Sequence, residues 1–447
     1  VKVEAVTGLL RGLIGIGGFL LMAFLMSKNK KKINWKLVGC GLLLQIVIGA
    51  LVLNPVVKTK VFDPVDRFVQ SLLDFSKKGS DFVMQSVEPH DVYEYVKVER
   101  DGKMVDEPVR KFCVGRTSPG SKTFAFWILP TVVFFSSIMT LLYFFGVMQP
   151  IVRIIAKVVQ KVMGTSGSET TSCSANIFMG QTEAPLVVKP FIATMTRSEL
   201  HAVMVGGFAT VAGGVLAMYA AILQSIPGIA GHLVTASCMA APGALYVSKI
   251  IYPETEESDT MGDLKIEIEK VDSNAVEAAA RGASEGMQLL INIVAMLIAF
   301  VALVAMADGF VSWLTGLFMA NPVTFTDILG WFFYPFAMLM GVPTADCSAV
   351  GEMLGKKVVL TELLAYLDLS NRVVAGSLSL KAQIICSYAL CGFANFASIG
   401  IQIGGISAIA PQRRKDLAEL GFSAMCAGVL VTCITGTIAG VFMSLGY

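Results

Sequence analysis

Runs of about twenty apolar residues recur along the whole chain, and that feature leaves few folds open. They lie at 6–26, 37–57, 124–148, 201–225, 230–252, 286–308, 381–408 and 420–445. As a helix, each is long enough to cross the roughly 30 Å of a bilayer core while pairing every backbone group within the segment. The composition agrees: 55% of the 447 residues are hydrophobic and 15% are charged, against about a quarter charged in soluble domains. The expectation is an all-α polytopic membrane protein with about eight transmembrane helices, its surroundings a lipid bilayer. The net charge of +2, with basic residues set between apolar blocks, argues against a nucleic-acid partner. The run from Val6 to Met26 has no small-residue cleavage site before the lysines that follow it, so it reads as a retained helix. Most of the nine cysteines sit in apolar runs, and Cys113, in a polar loop, has no loop partner. No disulfide framework is implied.

Two more regions are apolar but broken. Residues 165–199 carry Pro185 and Pro190 around the polar stretch SETTSCSAN to GQTE, and residues 325–367 carry Pro335, Pro343, Asp346 and Glu352. A re-entrant helical hairpin, two half-length helices meeting at a polar tip, satisfies both properties, provided the tip is buried in protein or faces water. The cluster Lys28, Lys30, Lys31 and Lys32 after the first run places that loop in the cytoplasm and both termini outside. Arg413, Arg414 and Lys415 also fall inside only if both broken regions return to the side they entered. Residues 61–82 have the spacing of a helix lying on the membrane surface. Residues 88–122, with YEYVKVE and the turn-like DGK, read as a small hairpin or a mobile insertion. The acidic stretch 253–274 reads as a cytoplasmic linker.

The hairpins begin a repeat. Each is followed by a span with a similar phrase, GGFATVAGG from Gly206 and CGFANFASIG from Cys391, and then by another span. An odd number of spans between the copies inverts the second. Inverted repeats place a substrate near the midplane, between the hairpin tips and unwound mid-span segments.

An ionisable residue at that depth marks a path for substrate or ion, and two stand out: Glu183 at the first tip and Glu352 in the second broken region. Asn176, Gly180, Gln181 and Thr182 crowd the first tip with amide and hydroxyl groups, a donor–acceptor set suited to a neutral heterocycle or a sugar. With Glu352 go Asn395 and Ser398, and Phe393 can stack on a planar ring. For a weakly bound monovalent cation the candidates are the side-chain oxygens of Asn176 and Thr210, with carbonyls freed by unwinding around Met179 and Val211. Competing structural readings exist. Asn176, Thr210 and Ser398 can serve as interhelical hydrogen-bonding glue, and Glu183 or Glu352 can pair with Lys189 or Lys356 as anchors. The glycines at 8 and 12 fit helix packing. His90, His201 and His232 are isolated, with no HExxH, which offers neither a metal site nor a catalytic triad.

At these residues the chain resembles the concentrative nucleoside transporter family. The carriers of the likeness are GQTEAPLVVKPF at Gly180–Phe191, MVGGFATVAGGVLA at Met204–Ala217, MAAPGALYVSKIIYPETE at Met239–Glu256 and ALCGFANFASIGIQIGG at Ala389–Gly405. The resemblance implies a sodium-coupled symporter that imports nucleosides by alternating access. It also implies a homotrimer, in which a mobile transport domain moves against a fixed scaffold as an elevator. By the same likeness Gln181, Thr182 and Glu183 would contact the nucleobase, with Val215 and Leu289 packing on it. Glu352, Asn395 and Ser398 would hold the ribose beside Phe393, and Asn176, Met179, Thr210 and Val211 would hold Na+; no organic cofactor is implied. The expected division is scaffold at 1–148, including the insertion 88–122, and a first hairpin repeat at 149–252. Linker and scaffold helix follow at 253–324, and a second hairpin repeat at 325–447. The two repeats form the transport domain.

Thr210 stands where bacterial members often have serine, and the GQSEN-like tip of proton-coupled relatives is absent. Eukaryotic members carry three further N-terminal helices, which points here to a bacterial inner-membrane protein. The readings set against the symporter are an intramembrane enzyme using Glu183 and Glu352 as a carboxylate pair, a proton-coupled nucleoside carrier and a passive channel. The first lacks a nucleophile, a metal motif or a phosphate loop, so the chain is read as a carrier and not an enzyme.

Overall fold

A computed structural model describes residues 2–53, 63–84, 90–100, 103–113, 128–261 and 272–445. The chain opens with α1 (Lys2–Leu25), α2 (Trp35–Leu53) and the amphipathic α3 (Asp63–Met84). An antiparallel ribbon follows, β1 (His90–Arg100) and β2 (Lys103–Cys113), in register from His90 opposite Cys113 to Arg100 opposite Lys103. Of the two readings open for the insertion, the hairpin is the one observed, and this ribbon is the one departure from an all-helical fold among the described residues. Residues 114–122 of the insertion and 262–271 of the linker lie outside the described residues.

Next come α4 (Pro130–Phe144) and α5 (Met148–Met163), bent by 79° at the break between them, then α6 (Gly167–Ala175). After a tip and a short 3-10 turn at Ala184–Val188, α7 (Lys189–Ile192) completes the first hairpin. The broken span α8 (Arg197–Ala209) and α9 (Gly213–Ile222) leads to α10 (Ile229–Ile251) and the 42-residue α11 (Ala275–Gly316). The second copy holds α12 (Phe325–Leu339), α13 (Cys347–Val359) and α14 (Glu362–Val374). It continues as α15 (Leu380–Ala389) and α16 (Phe396–Ile409), a second broken span, and ends with α17 (Arg414–Ser444).

Six of these segments are long and apolar enough to cross a bilayer by themselves. The shorter α4 and the broken pair α15–α16 bring the spans to the eight expected. The order α4, α5, hairpin, broken span, α10 recurs as α11, α12, hairpin, broken span, α17.

The second hairpin is not where its prolines suggested. Pro335 lies inside α12, and Pro343 sits in the connection between α12 and α13. The hairpin itself is α13 and α14, and it turns at Leu360 (φ −107°, ψ −100°) and Thr361. The boundary 325–367 therefore takes in α12, the counterpart of α5, and cuts α14 in half.

Helices approach closely where side chains are missing. The glycines at 8 and 12 of α1 meet Ser444 and Val441 of α17, as helix packing requires. Gly282 and Gly286 let α11 lie against the backbone of α4 at Ser136 and Val133. The deepest core follows α8, α10, α15 and α17, whose facing residues are buried nearly throughout. Both hairpins and both breaks are set into that core.

Candidate functional site

The first tip is built by capping. Ser166 and Glu169 form a capping box that starts α6, and the helix ends at Asn176. The chain then turns through Gly180, whose N–H donates to Glu183 Oε2 at 3.2 Å, so the acid closes its own turn. Opposite the tip, α8 stops at Thr210, where the backbone becomes extended (φ −120°, ψ 169°), and Thr210 Oγ1 donates to the Gly206 carbonyl at 2.8 Å. The break is tied to the tip by Gly213 N–H donating to Phe178 O at 3.0 Å. Met179 lies in the turn of this tip, and Val211 is buried in the break itself.

The second tip and break are joined more tightly. Asn395 is the N-cap of α16: its Oδ1 accepts from Ser398 N–H at 2.9 Å, satisfying one of the first-turn donors that a helix leaves free. Its Nδ2 donates to Glu362 Oε2 at 2.9 Å, and the other carboxylate oxygen accepts from Tyr219 OH at 2.6 Å. The two halves meet through side-chain amides. Gln181 Nε2 donates to Ser398 Oγ at 3.3 Å, and Gln402 Nε2 donates to Gln181 Oε1 at 3.1 Å.

The breaks also touch through backbone. Gly392 has φ +144°, and a Cβ there would fall 2.8 Å from Phe208 O and 3.0 Å from Ala209 O at the end of α8. Only glycine takes this conformation without strain, and only glycine leaves room for the contact.

These elements enclose a cavity of about 190 Å³. That is space for roughly six waters, at about 30 Å³ of liquid volume each. Gly180, Gln181, Thr182 and Glu183 line it from the first tip, and Phe393, Asn395 and Ser398 from the second break. Val215 of α9 and Leu289 of α11 are also in its wall. Nine of the ten positions expected to contact substrate are thus brought to one cavity, and the tenth, Glu352, is absent from it. Its Oε2 accepts from Arg372 Nη2 at 2.6 Å, and Arg372 and Lys356 share Asp368. Glu352 packs beside Gly330 of α12 and links the two arms of the second hairpin, so the anchoring role weighed against a site role is the one it fills, with Arg372 as partner and not Lys356.

The cavity acid of the second tip is Glu362, which the sequence reading missed together with Tyr219 and Gln402. One signal was available. Glu183 precedes the phenylalanine of its GFA phrase by 25 positions (208 less 183). Glu362 precedes Phe393 by 31, whereas Glu352 precedes it by 41.

The four positions expected to hold a cation lie at the C-terminal ends of α6 and α8. Asn176 and Gly206 are adjacent there, a Cβ on Gly206 falling 3.3 Å from Asn176 Nδ2. Asn176 Nδ2 donates to Ser172 O, but its Oδ1 is buried without a donor. An orphaned oxygen, a threonine hydroxyl and two helix ends whose carbonyls carry partial negative charge form a donor set that fits Na+.

Broken helices and hairpin tips gathered around one cavity are the arrangement of secondary carriers, and the comparisons say which kind. Family models described as Na+ dependent nucleoside transporter N-terminus and C-terminus match residues 14–87 and 232–440, and one described as nucleoside recognition matches residues 125–226. An uncharacterized transporter of Bacillus subtilis, YutK, is 39% identical over 97% of this chain and 99% of its own length. Mouse sodium/nucleoside cotransporter 1 is 38% identical over 96% of this chain, which spans 63% of that longer protein. CNTnw in an inward-facing substrate-bound state superposes with a TM-score of 0.85 at 39% identity, covering 98% of both chains. A CNTnw variant in an outward-facing state gives 0.86 at 38% identity over the same coverage. The chain belongs to the Na+ dependent, or concentrative, nucleoside transporter family.

Proposed function

We propose that this protein is a sodium-coupled nucleoside symporter, with the nucleoside held in the cavity between the two hairpin tips and the two breaks. The observation that carries the reading is the Gln181–Ser398 hydrogen bond, which sets a tip and a break of opposite repeats against one small cavity. On the first side Gln181, Thr182 and Glu183 offer amide, hydroxyl and carboxylate to the edge of a base. On the second, Glu362 is held by Tyr219 and Asn395, and its remaining lone pairs suit the paired hydroxyls of a ribose. Phe393 and the apolar wall from α11 cover the ring faces.

Na+ would be held by Asn176, Met179, Thr210 and Val211. Gly180 to Glu183 continue directly from the Asn176 end, so an ion there orders the base-binding tip. The coupling is a differential affinity: the ion-ordered tip binds nucleoside better, and bound nucleoside must raise ion affinity by the same factor. With lysine-rich loops inside, both termini are extracytoplasmic in a bacterial inner membrane, and the carrier works as a trimer. The carboxylate pair weighed for an enzyme, Glu183 with Glu352, does not form, because Glu352 is paired with Arg372 outside the cavity, and both oxygens of the acid that does line it, Glu362, accept from Tyr219 and Asn395.

The test is uptake of labelled uridine into proteoliposomes, with and without an inward Na+ gradient. Accumulation above equilibrium only with the gradient is expected. Uptake that merely equilibrates would make the protein a facilitator, and uptake driven by a pH gradient without Na+ would move the coupling to protons.

A further inference from the structure

Lys357 is fully buried in the last turn of α13, and among the described residues no carboxylate pairs with it. The nearby acids are committed elsewhere: Asp368 to Lys356 and Arg372, Glu352 to Arg372, and Glu362 to Tyr219 and Asn395. The Lys357 ammonium instead donates to the carbonyl of Ala389 and to Thr432 Oγ1 of α17, both at 2.8 Å. Ala389 is the last residue of α15, where the second broken span stops. Terminal carbonyls of a helix have no intrahelical donor and carry about half a negative charge between them.

The two repeats can be compared at this point. In each, the first half of the broken span ends beside the end of the first arm of its hairpin. In the first repeat α8 ends near Asn176, whose buried Oδ1 lacks a donor. In the second, the same kind of helix end is met by an ammonium reaching across from α13. A buried charge without an ion partner is strongly disfavoured unless its hydrogen bonds are well made, so a lysine kept here needs a specific task.

We propose that the ammonium of Lys357 is a built-in cation for the second helix break, standing where the first break takes an exchangeable one from solution. This rests on the sodium reading of the first break. Five residues beyond Lys357, Glu362 begins α14, so the lysine fixes the end of the arm that presents this acid. The Glu362–Asn395 half of the cavity is then ordered at all times, and only the Gln181–Glu183 half waits for an ion.

The experiment uses the full-length protein in proteoliposomes and in detergent, comparing wild type with Lys357→Met, Lys357→Ala and Thr432→Val. Uridine binding and uptake at saturating Na+ should fall at least tenfold in Lys357→Met, which keeps the volume and loses the charge. In Lys357→Ala, propylammonium should restore uridine binding severalfold while 1-propanol does not. Retention of near wild-type binding in Lys357→Met would overturn the proposal. So would rescue of the alanine variant by both additives, or by neither in protein that assembles normally. If both lysine variants fail to assemble, Thr432→Val decides. Weaker uridine binding at every Na+ concentration, with unchanged half-activation by Na+, supports the proposal, and wild-type binding overturns it. Sodium-independent uptake by the wild type would remove the first-break reading alone, because the charge-selective rescue is read from uridine binding.

Discussion

Asn395 Nδ2 lies 2.9 Å from Glu362 Oε2, and this bond fastens the break of one span to the tip of the hairpin that precedes it. The same asparagine caps α16 through its other side-chain atom. Local helix capping and long-range assembly of the site therefore depend on one side chain.

Glu362 and Glu352 should behave differently on neutralisation. Glu362→Gln gives up charge-assisted hydrogen bonds, worth about 1.5–3 kcal/mol each, and should lower initial uridine uptake by about 10- to 100-fold. Glu352→Gln breaks a partly exposed pair with Arg372 (side chains 21% and 26% exposed), of the kind worth about 0–1 kcal/mol. It should keep uptake within about threefold. Equal losses in the two variants would dissolve the distinction.

Tyr219 lines the cavity beside Glu362, to which its hydroxyl donates at 2.6 Å. Tyr219→Phe keeps the ring and its packing on Tyr366, 4.7 Å between centroids. Uridine affinity, measured by calorimetry at saturating Na+, should weaken about tenfold with little change in thermal stability. An unchanged affinity would mean that Asn395 alone orients the acid.

Thr210 contributes one hydroxyl at the end of α8. Thr210→Ala should raise the Na+ concentration for half-maximal uptake by about tenfold, while the maximal rate at high Na+ is largely kept. Thr210→Ser should be close to wild type. Loss of maximal uptake without any shift in Na+ dependence would take the residue out of the ion site.

Gly392→Ala should be damaging although no side chain is removed. The new Cβ meets Phe208 O at 2.8 Å, on a backbone at φ +144°. Strain and overpacking together cost about 2–4 kcal/mol, seen as a lower temperature of aggregation for the purified protein. A Gly400→Ala control, with open space around that position, should not shift it.

Most of the architecture could be read from apolar run lengths, and the first tip from Gly180 and Pro185, which mark a turn where one occurs. The second tip carries no such mark. It turns at Leu360 and Thr361, an aliphatic residue and a helix cap with no glycine or proline beside them. Pro343 and Glu352, close upstream, imitate a tip without being one. Tyr219 was hidden for a related reason: in a run such as GGVLAMYAAI, a tyrosine reads as packing until its hydroxyl is seen to have a partner. Gln402 lies in the apolar α16 and declares its purpose only through its partners on other elements, Gln181 and the Met204 carbonyl.

The 42 residues of α11 make a rod about 63 Å long at 1.5 Å per residue, twice the hydrocarbon thickness of about 30 Å. The cavity borders it from Leu289 to Phe300, the middle of the rod. Beyond Phe300 the rod continues as VALVAMA before the first acid at Asp308, as greasy as the part already in use. A chamber moving along this rail would have no hydrogen bonds to trade for new ones, because every residue the helix turns to the cavity is apolar.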